Sequence, residues 1–240
     1  WYLMTVKGTV GPESGDSKVL TILNRSLKVE GSFRVYEADP KYAKILFEEL
    51  GLAADSKGLD SPASKVEAGG DEKLLEKTEA TRFRALAARA SYLAMDRIDL
   101  MYAAKELCRE MSEPKEAVWG RLKKLARYLV KYPKASWKFP TGVFERSELR
   151  VYSDSDWAGC RVSRRSTSGG VIALDGVVLK AWSSTQATVA TSSGEAELHA
   201  AVKAASEGLG FESLAKDLGV ELSVEVVVDS SAAQSIVSRQ

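Results

Sequence analysis

The sequence has 240 residues, of which 45% are hydrophobic and 28% are charged. A chain of this length can bury one large core or two smaller ones, and two are more common. The 34 basic and 33 acidic side chains leave a formal net charge of +1, which excludes a bulk positive field, so any affinity for nucleic acid must come from local basic patches.

The first predicted elements are a β-hairpin and a helix. Residues 18–37 alternate apolar and polar positions about a central glycine, which is typical of a hairpin. Asp39 and Pro40 then begin an amphipathic helix that Gly51 ends. Residues 53–71 are rich in Ala, Ser, Gly, Asp and Lys, a composition that predicts a weakly ordered surface loop.

The middle of the chain is predicted to be a helical bundle. Helical periodicity runs through residues 81–95 and again through residues 98–111. A third helix is predicted over residues 114–131, with proline in its first turn. Residues 132–142 then hold two prolines and a glycine, which predicts a break between domains.

After this break the pattern changes to short strands, and the second domain is predicted to begin near Ser147. One helix, from Glu195 to about Leu218, separates the third strand from the fourth. This order predicts a mixed α/β layer fold. The four predicted strands are residues 148–154, 168–174, 177–184 and 222–229. The apolar face of the helix is predicted to carry Leu198, Val202, Ala205 and Leu209.

Two aspartates, Asp154 and Asp229, end predicted strands of this second domain. The end of a strand is the usual rim of a functional site in an α/β sheet, although a single aspartate there is more often ordinary turn chemistry. If the two strands were adjacent, the like charges would lie together, which is costly unless a cation binds between them. The pair therefore favours a metal site.

Two glutamates compete for the role of a third carboxylate, Glu195 and Glu197. The segment from Ser192 to Glu195 has the pattern of a capping box, in which the serine accepts a backbone N–H and the glutamate returns to the N–H of the serine. Glu197 lies at the edge of the apolar face marked by Leu198, from which it can face the rim of the sheet. The angular positions on the helix do not exclude Glu195 as the third carboxylate.

Four segments of the second half, in this order and spacing, resemble the RNase H domain of copia-type retrotransposon polyproteins: SDSDWAG, RRSTSGG, LKAWSSTQATVATSSGEAEL and VVVDSS. Residues 22–52 and 81–129 resemble the end of the reverse-transcriptase palm and the thumb and connection of the same polyproteins. The resemblance implies an α+β reverse-transcriptase C-terminal region over residues 1–146. An RNase H-like mixed sheet flanked by helices follows over residues 147–240.

The resemblance also implies a reaction. Asp154, Glu197 and Asp229 match the catalytic, metal-binding carboxylates, with Asp156 as a neighbour to test. Two Mg²⁺ ions, or Mn²⁺, about 3.5–4 Å apart would support cleavage of the RNA strand in RNA–DNA hybrids. A fourth carboxylate of the family is expected beyond Gln240, so that the domain is truncated at its C-terminus. A non-catalytic remnant of a decayed retroelement, inert or binding nucleic acid, is the alternative interpretation.

The expected partners are the RNA–DNA hybrid and the remainder of the Pol polyprotein, without a membrane or a small-molecule cofactor. Because the sequence has no Asp-Asp pair, no polymerase activity is expected. With no apolar run near the length of a membrane span and no signal peptide, the protein is expected to be intracellular, cytoplasmic or nuclear, and not secreted. The candidate nucleic-acid contacts are Arg161, Arg164, Arg165, Thr191, Ser192, Arg121 and Lys124. The alternative for the arginines and the lysine is a solvated surface without a nucleic-acid contact. The alternative for Thr191 and Ser192 is capping of the helix.

Overall fold

The computed structural model describes residues 5–6, 8–63, 73–142, 148–160 and 162–237. The chain divides into two compact units, Trp1–Gly142 and Val143–Gln240. The described residues form two four-stranded sheets and six α-helices, which is a mixed α/β architecture. None of the described helices is long and apolar enough to cross a membrane.

The helices and strands follow in chain order. The first unit contains β1 Val19–Ile22, β2 Arg25–Glu30, β3 Phe33–Glu37, α1 Pro40–Glu48, α2 Lys77–Ala94, a 3₁₀ turn Ile98–Leu100, α3 Met101–Arg109, α4 Val118–Lys131 and β4 Ser136–Pro140. The second unit contains β5 Glu148–Asp156, β6 Thr167–Leu174, β7 Val177–Thr185, α5 Ser193–Asp217, β8 Ser223–Val228 and α6 Ser231–Val237.

The sheet of the first unit is antiparallel in the order β1-β2-β3-β4. The predicted hairpin is confirmed as β2 and β3, and its turn contains Gly31 at φ +56°, a conformation that favours glycine. Residues 132–142 are predicted to be a break without strands, but residues 136–140 of this segment form strand β4, which pairs with β3. Trp137 and Phe139 alternate with exposed residues in this strand, and Pro140 lies at the end of an edge strand, where proline does not interrupt the ladder.

The helices of the first unit follow the predicted pattern, except that two of them begin four residues away from the predicted start. Helix α2 begins at Lys77 rather than at Thr81. Helix α1 begins after Asp39, whose carboxylate accepts a hydrogen bond from the backbone N–H of Lys41 at 2.9 Å. Helix α4 begins at Val118 rather than at Pro114. The carbonyl of Pro114 instead accepts a hydrogen bond from the backbone N–H of Leu75 at 2.8 Å, in a short antiparallel bridge. Of the predicted loop, residues 64–72 lie outside the described residues, and residues 53–63 contain no helix or strand.

The sheet of the second unit has the order β7-β6-β5-β8. All four predicted strands are confirmed within three residues at each end. Strand β5 is central, because it pairs antiparallel with β6 and parallel with β8. Helix α5 packs on this sheet, where Leu149, Val151 and Ile172 are fully buried together with Ala204 of the helix. The parallel pairing puts the carboxyl ends of β5 and β8 at one edge.

The buried face of α5 differs from the prediction. Val202 and Leu209, predicted on the buried face, are 58% and 57% exposed. The sheet is covered instead by small residues at intervals of four, Ala196, Ala200, Ala204 and Gly208. The prediction failed because hydrophobicity ranks leucine and valine above alanine, whereas the space between helix and sheet admits only small side chains. A Cβ atom on Gly208 would lie 2.6 Å from Cγ1 of Val224.

This close approach predicts opposite effects for two glycines of α5. Gly208→Ala is expected to lower the melting temperature, because overpacking costs about 1–3 kcal/mol and exceeds the gain in helix propensity. Gly210→Ala is the control, since a Cβ there meets nothing within 4 Å, and it should gain up to about 1 kcal/mol. Thermal melts check both. Equal stabilisation by the two substitutions would contradict the packing of α5.

Candidate metal centre

Three carboxylates of the second unit lie together at one edge of its sheet. In the parallel ladder Ser153 pairs with Val228, so the next residues along the chain, Asp154 and Asp229, follow the last pair of this ladder side by side. Asp154 does not end its strand as predicted, because β5 continues to Asp156 beside β6. The first turns of α5 bring Glu197 to the same edge. One oxygen of each carboxylate lies within 4.8 Å of the others. Two of these side chains, those of the aspartates, are exposed, and that of Glu197 is half-buried.

The two oxygens of Glu197 have different surroundings. Oε1 accepts two hydrogen bonds from Ser155, one from its hydroxyl at 2.7 Å and one from its backbone N–H at 3.3 Å. Oε2 is buried and has no hydrogen-bond partner among the described residues. A buried carboxylate oxygen without a partner is costly, and a cation would compensate for it. An all-carboxylate set also supplies the hard oxygen ligands that Mg²⁺ prefers, so the three residues fit a divalent cation.

Glu195 has a different role on the same helix. Its backbone N–H donates to Oγ of Ser192 at 3.2 Å, which is the first half of the predicted capping box. Its carboxylate, however, accepts from the N–H and the hydroxyl of Thr191, both at 2.7 Å, and not from Ser192. These hydrogen bonds hold the pKa of Glu195 below its usual range, and Glu195 lies outside the group of three carboxylates.

Gln186, which sequence patterns did not single out, lies beneath the first turns of α5. Its side chain is 8% exposed. Nε2 donates to Oγ of Ser168 at 2.9 Å and to the carbonyl oxygen of Ala196 at 2.8 Å. Since a carbonyl oxygen can only accept, this contact fixes the orientation of the amide. Gln186 therefore ties the residue before Glu197 to the sheet.

No protein-family model matches the chain, and no solved structure matches it significantly. Curated relatives do match, and three of them are from Arabidopsis thaliana. The chain is 34% identical to the Retrovirus-related Pol polyprotein from transposon RE2, over 62% of this chain and 10% of the relative. It is 31% identical to the Retrovirus-related Pol polyprotein from transposon RE1, over 70% of this chain and 11% of the relative. The uncharacterized mitochondrial protein AtMg00810 is also 31% identical, over 72% of this chain and 70% of the relative.

The chain belongs to the copia-type Pol polyprotein family. It spans about a tenth of the length of the two transposon polyproteins.

The candidate nucleic-acid contacts of this copia-type chain lie in several places. Arg164 and Arg165 are exposed in the connection between β5 and β6, and Arg161 lies outside the described residues. The hydroxyls of Thr191 and Ser192 are both engaged in capping α5. Of these five residues, only the two described arginines present side chains that no helix cap uses.

Two further candidates lie on α4 of the first unit. Arg121 is half-buried and forms an ion pair with Glu110 at 3.4 Å. Lys124 is also half-buried. The ion pair offsets the charge of Arg121 within its own unit.

The capping role of Glu195 predicts a pH dependence of stability. A folded-state pKa below the usual value means that the carboxylate stabilises the native state above about pH 4.3, and that this stabilisation is lost as the pH falls through the folded-state pKa. Glu195→Gln should therefore melt at a lower temperature than the unsubstituted chain at about pH 7, and this difference should shrink as the pH falls through the folded-state pKa of Glu195. A difference in melting temperature that does not change on acidification would contradict the charged cap.

Proposed function

We propose that the second unit is an RNase H-type nuclease that cleaves the RNA strand of RNA–DNA hybrids with two Mg²⁺ ions, which Mn²⁺ can replace. The observation that carries this proposal is the convergence of Asp154, Glu197 and Asp229 within 4.8 Å, with Oε2 of Glu197 buried and without a partner. Membership of the Pol polyprotein family supports it, since reverse transcription produces the hybrid substrate. The same three residues are the proposed catalytic and metal-binding residues.

The proposal assigns a different origin to each part of the chain. The RNase H-like domain covers residues 147–240. This assignment is supported by the central strand β5, which pairs parallel with β8, and by the long helix α5, which packs on the sheet. Residues 1–146 are assigned to the C-terminal region of a reverse transcriptase, from the end of the palm through the thumb and connection. An antiparallel sheet together with a helical core supports that assignment. The remainder of the Pol polyprotein is the proposed covalent partner.

Each carboxylate has a task in this reaction. Asp154 and Asp229 are exposed, so they hold cations where a phosphodiester backbone can approach. Glu197 closes the site from the helix side, with one oxygen fixed by Ser155. When bound, the two ions activate a water and stabilise the leaving oxygen of the scissile phosphate. Without cations the three negative side chains repel a phosphate, so productive binding of the hybrid requires metal.

The hybrid is recognised through its backbone shape and 2′-hydroxyls rather than its base sequence. Arg164 and Arg165 are the described residues that we assign to phosphate contact, because both are exposed in the connection that follows β5. Such contacts position a duplex without reading its sequence. Arg161 belongs to the same basic segment in the sequence.

The metal site predicts a thermal response. Mn²⁺ should raise the melting temperature, because a ligand that binds only the folded state stabilises it, by about 2.7 kcal/mol at a concentration of 100 Kd. Glu197→Gln should abolish most of this response while leaving stability without metal unchanged or slightly higher, since it relieves repulsion among carboxylates. Asp156→Asn is the matched control, an aspartate of the same strand outside the group. If the control loses the response and Glu197→Gln keeps it, the site is assigned wrongly.

The reaction itself is tested with a labelled RNA–DNA hybrid and Mg²⁺. Cleavage confined to the RNA strand, lost in Asp154→Asn and retained in Asp156→Asn, is expected. Binding of the hybrid without cleavage, at saturating metal, would favour the non-catalytic alternative. Primer extension by the same preparation should stay at the level without enzyme.

A further inference from the structure

We propose that Ser155 is a positioning residue that fixes the carboxylate of Glu197 for metal binding. This inference rests on the proposed function, and it concerns a residue to which neither the family resemblance nor the sequence pattern assigns a role. Ser155 lies between the two aspartates of the SDSDWAG segment, on the central strand β5. It contacts no metal in this account, and acts only through Glu197.

The evidence is the way in which Ser155 uses its two donors. The hydroxyl and the backbone N–H both donate to the same oxygen, Oε1 of Glu197, at 2.7 and 3.3 Å. The terminal torsion of a glutamate is otherwise broad, so an unrestrained carboxylate would rotate and exchange its oxygens. With Oε1 held, Oε2 becomes the oxygen that is buried and still able to accept a ligand. Ser155 thus selects which oxygen is offered to a cation.

The contact between Ser155 and Glu197 is rigid because both of its sides are anchored. On the sheet side, Ser155 pairs with Ser168 of β6, and the pairing of β5 with β8 ends two residues earlier, at Ser153. On the helix side, Gln186 holds the carbonyl of Ala196, the residue before Glu197. The side-chain end of the glutamate is therefore held from β5, and the peptide before it from Gln186, the residue after β7.

A neutral donor suits this position. A lysine or arginine in the place of Ser155 would neutralise Glu197 and compete with a cation for it, whereas a hydroxyl orients the carboxylate and leaves its charge. Partners that orient metal ligands in this way typically change metal affinity by about 10- to 100-fold when they are lost. The hydroxyl of Ser155 is the shorter of the two contacts, and only this contact is removed by Ser155→Ala.

The test is a calorimetric titration with Mn²⁺ alone on three variants of the full chain. Ser155→Ala should bind Mn²⁺ about 10-fold more weakly than the unsubstituted chain. Ser155→Thr keeps a hydroxyl and suits a strand, so it should recover most of the affinity. Ser153→Ala is the matched control, because Ser153 precedes it by two residues on the same face of β5 and its Oγ has no partner among the described residues. Its affinity should not change.

Cleavage of the hybrid gives a second readout that a merely structural role would not reproduce. Ser155→Ala should need more Mn²⁺ for half-maximal cleavage, yet approach the rate of the unsubstituted chain at saturating Mn²⁺, because the metal ligands themselves are retained. Metal-free melts show whether each variant is folded.

The outcomes separate the two proposals. Unchanged Mn²⁺ affinity in a folded Ser155→Ala, beside an unsubstituted chain that binds Mn²⁺, overturns the positioning role and leaves the proposed function intact. Equal losses of Mn²⁺ affinity in Ser155→Ala and Ser153→Ala also overturn the positioning role, since they indicate a general effect of substitution on the strand. If the unsubstituted chain binds no Mn²⁺, the proposed function fails, and the positioning role fails with it.

Discussion

The second unit is organised around the repulsion among three carboxylates held within 4.8 Å of one another. Like charges at such distances raise the free energy of the folded state, and more strongly where the surroundings exclude water. Strand pairing fixes Asp154 and Asp229, and close packing of α5 on the sheet fixes Glu197. The fold therefore stabilises an arrangement that the side chains by themselves would avoid, which is the physical reason to expect a cation between them.

Helix α5 shows how two glutamates only two residues apart divide structural and chemical tasks. Glu195 faces back along the chain, where the two donors of Thr191 satisfy its carboxylate. Glu197 faces the sheet, where Ser155 satisfies one oxygen and the other is left buried. A carboxylate whose hydrogen bonds are complete stabilises the helix, whereas one whose hydrogen bonds are incomplete is available to a ligand.

Much of this arrangement follows from local patterns in the sequence. The strands of the second unit, the start of α5 and the placement of Asp229 just after β8 all rest on alternation, capping and turn chemistry. The prediction that Asp154 ends its strand is wrong, because pairing with β6 extends β5 to Asp156. The sequence does not predict strand β4, because its pairing with β3 is distant in sequence and because Pro133 before it and Pro140 at its end indicate a break. The buried face of α5 was not predicted either, since the distance between helix and sheet decides it. Ser155 and Gln186 carry no periodic signal, and only their contacts reveal them.

The most direct test of the account is a crystal structure of the chain with Mn²⁺, in which anomalous scattering locates the metal independently of the protein atoms. Anomalous peaks are expected between Asp154, Glu197 and Asp229, with Oε1 of Glu197 still accepting a hydrogen bond from Ser155. Ordered carboxylates without an anomalous peak among them at saturating Mn²⁺, or peaks held by other residues, would contradict it.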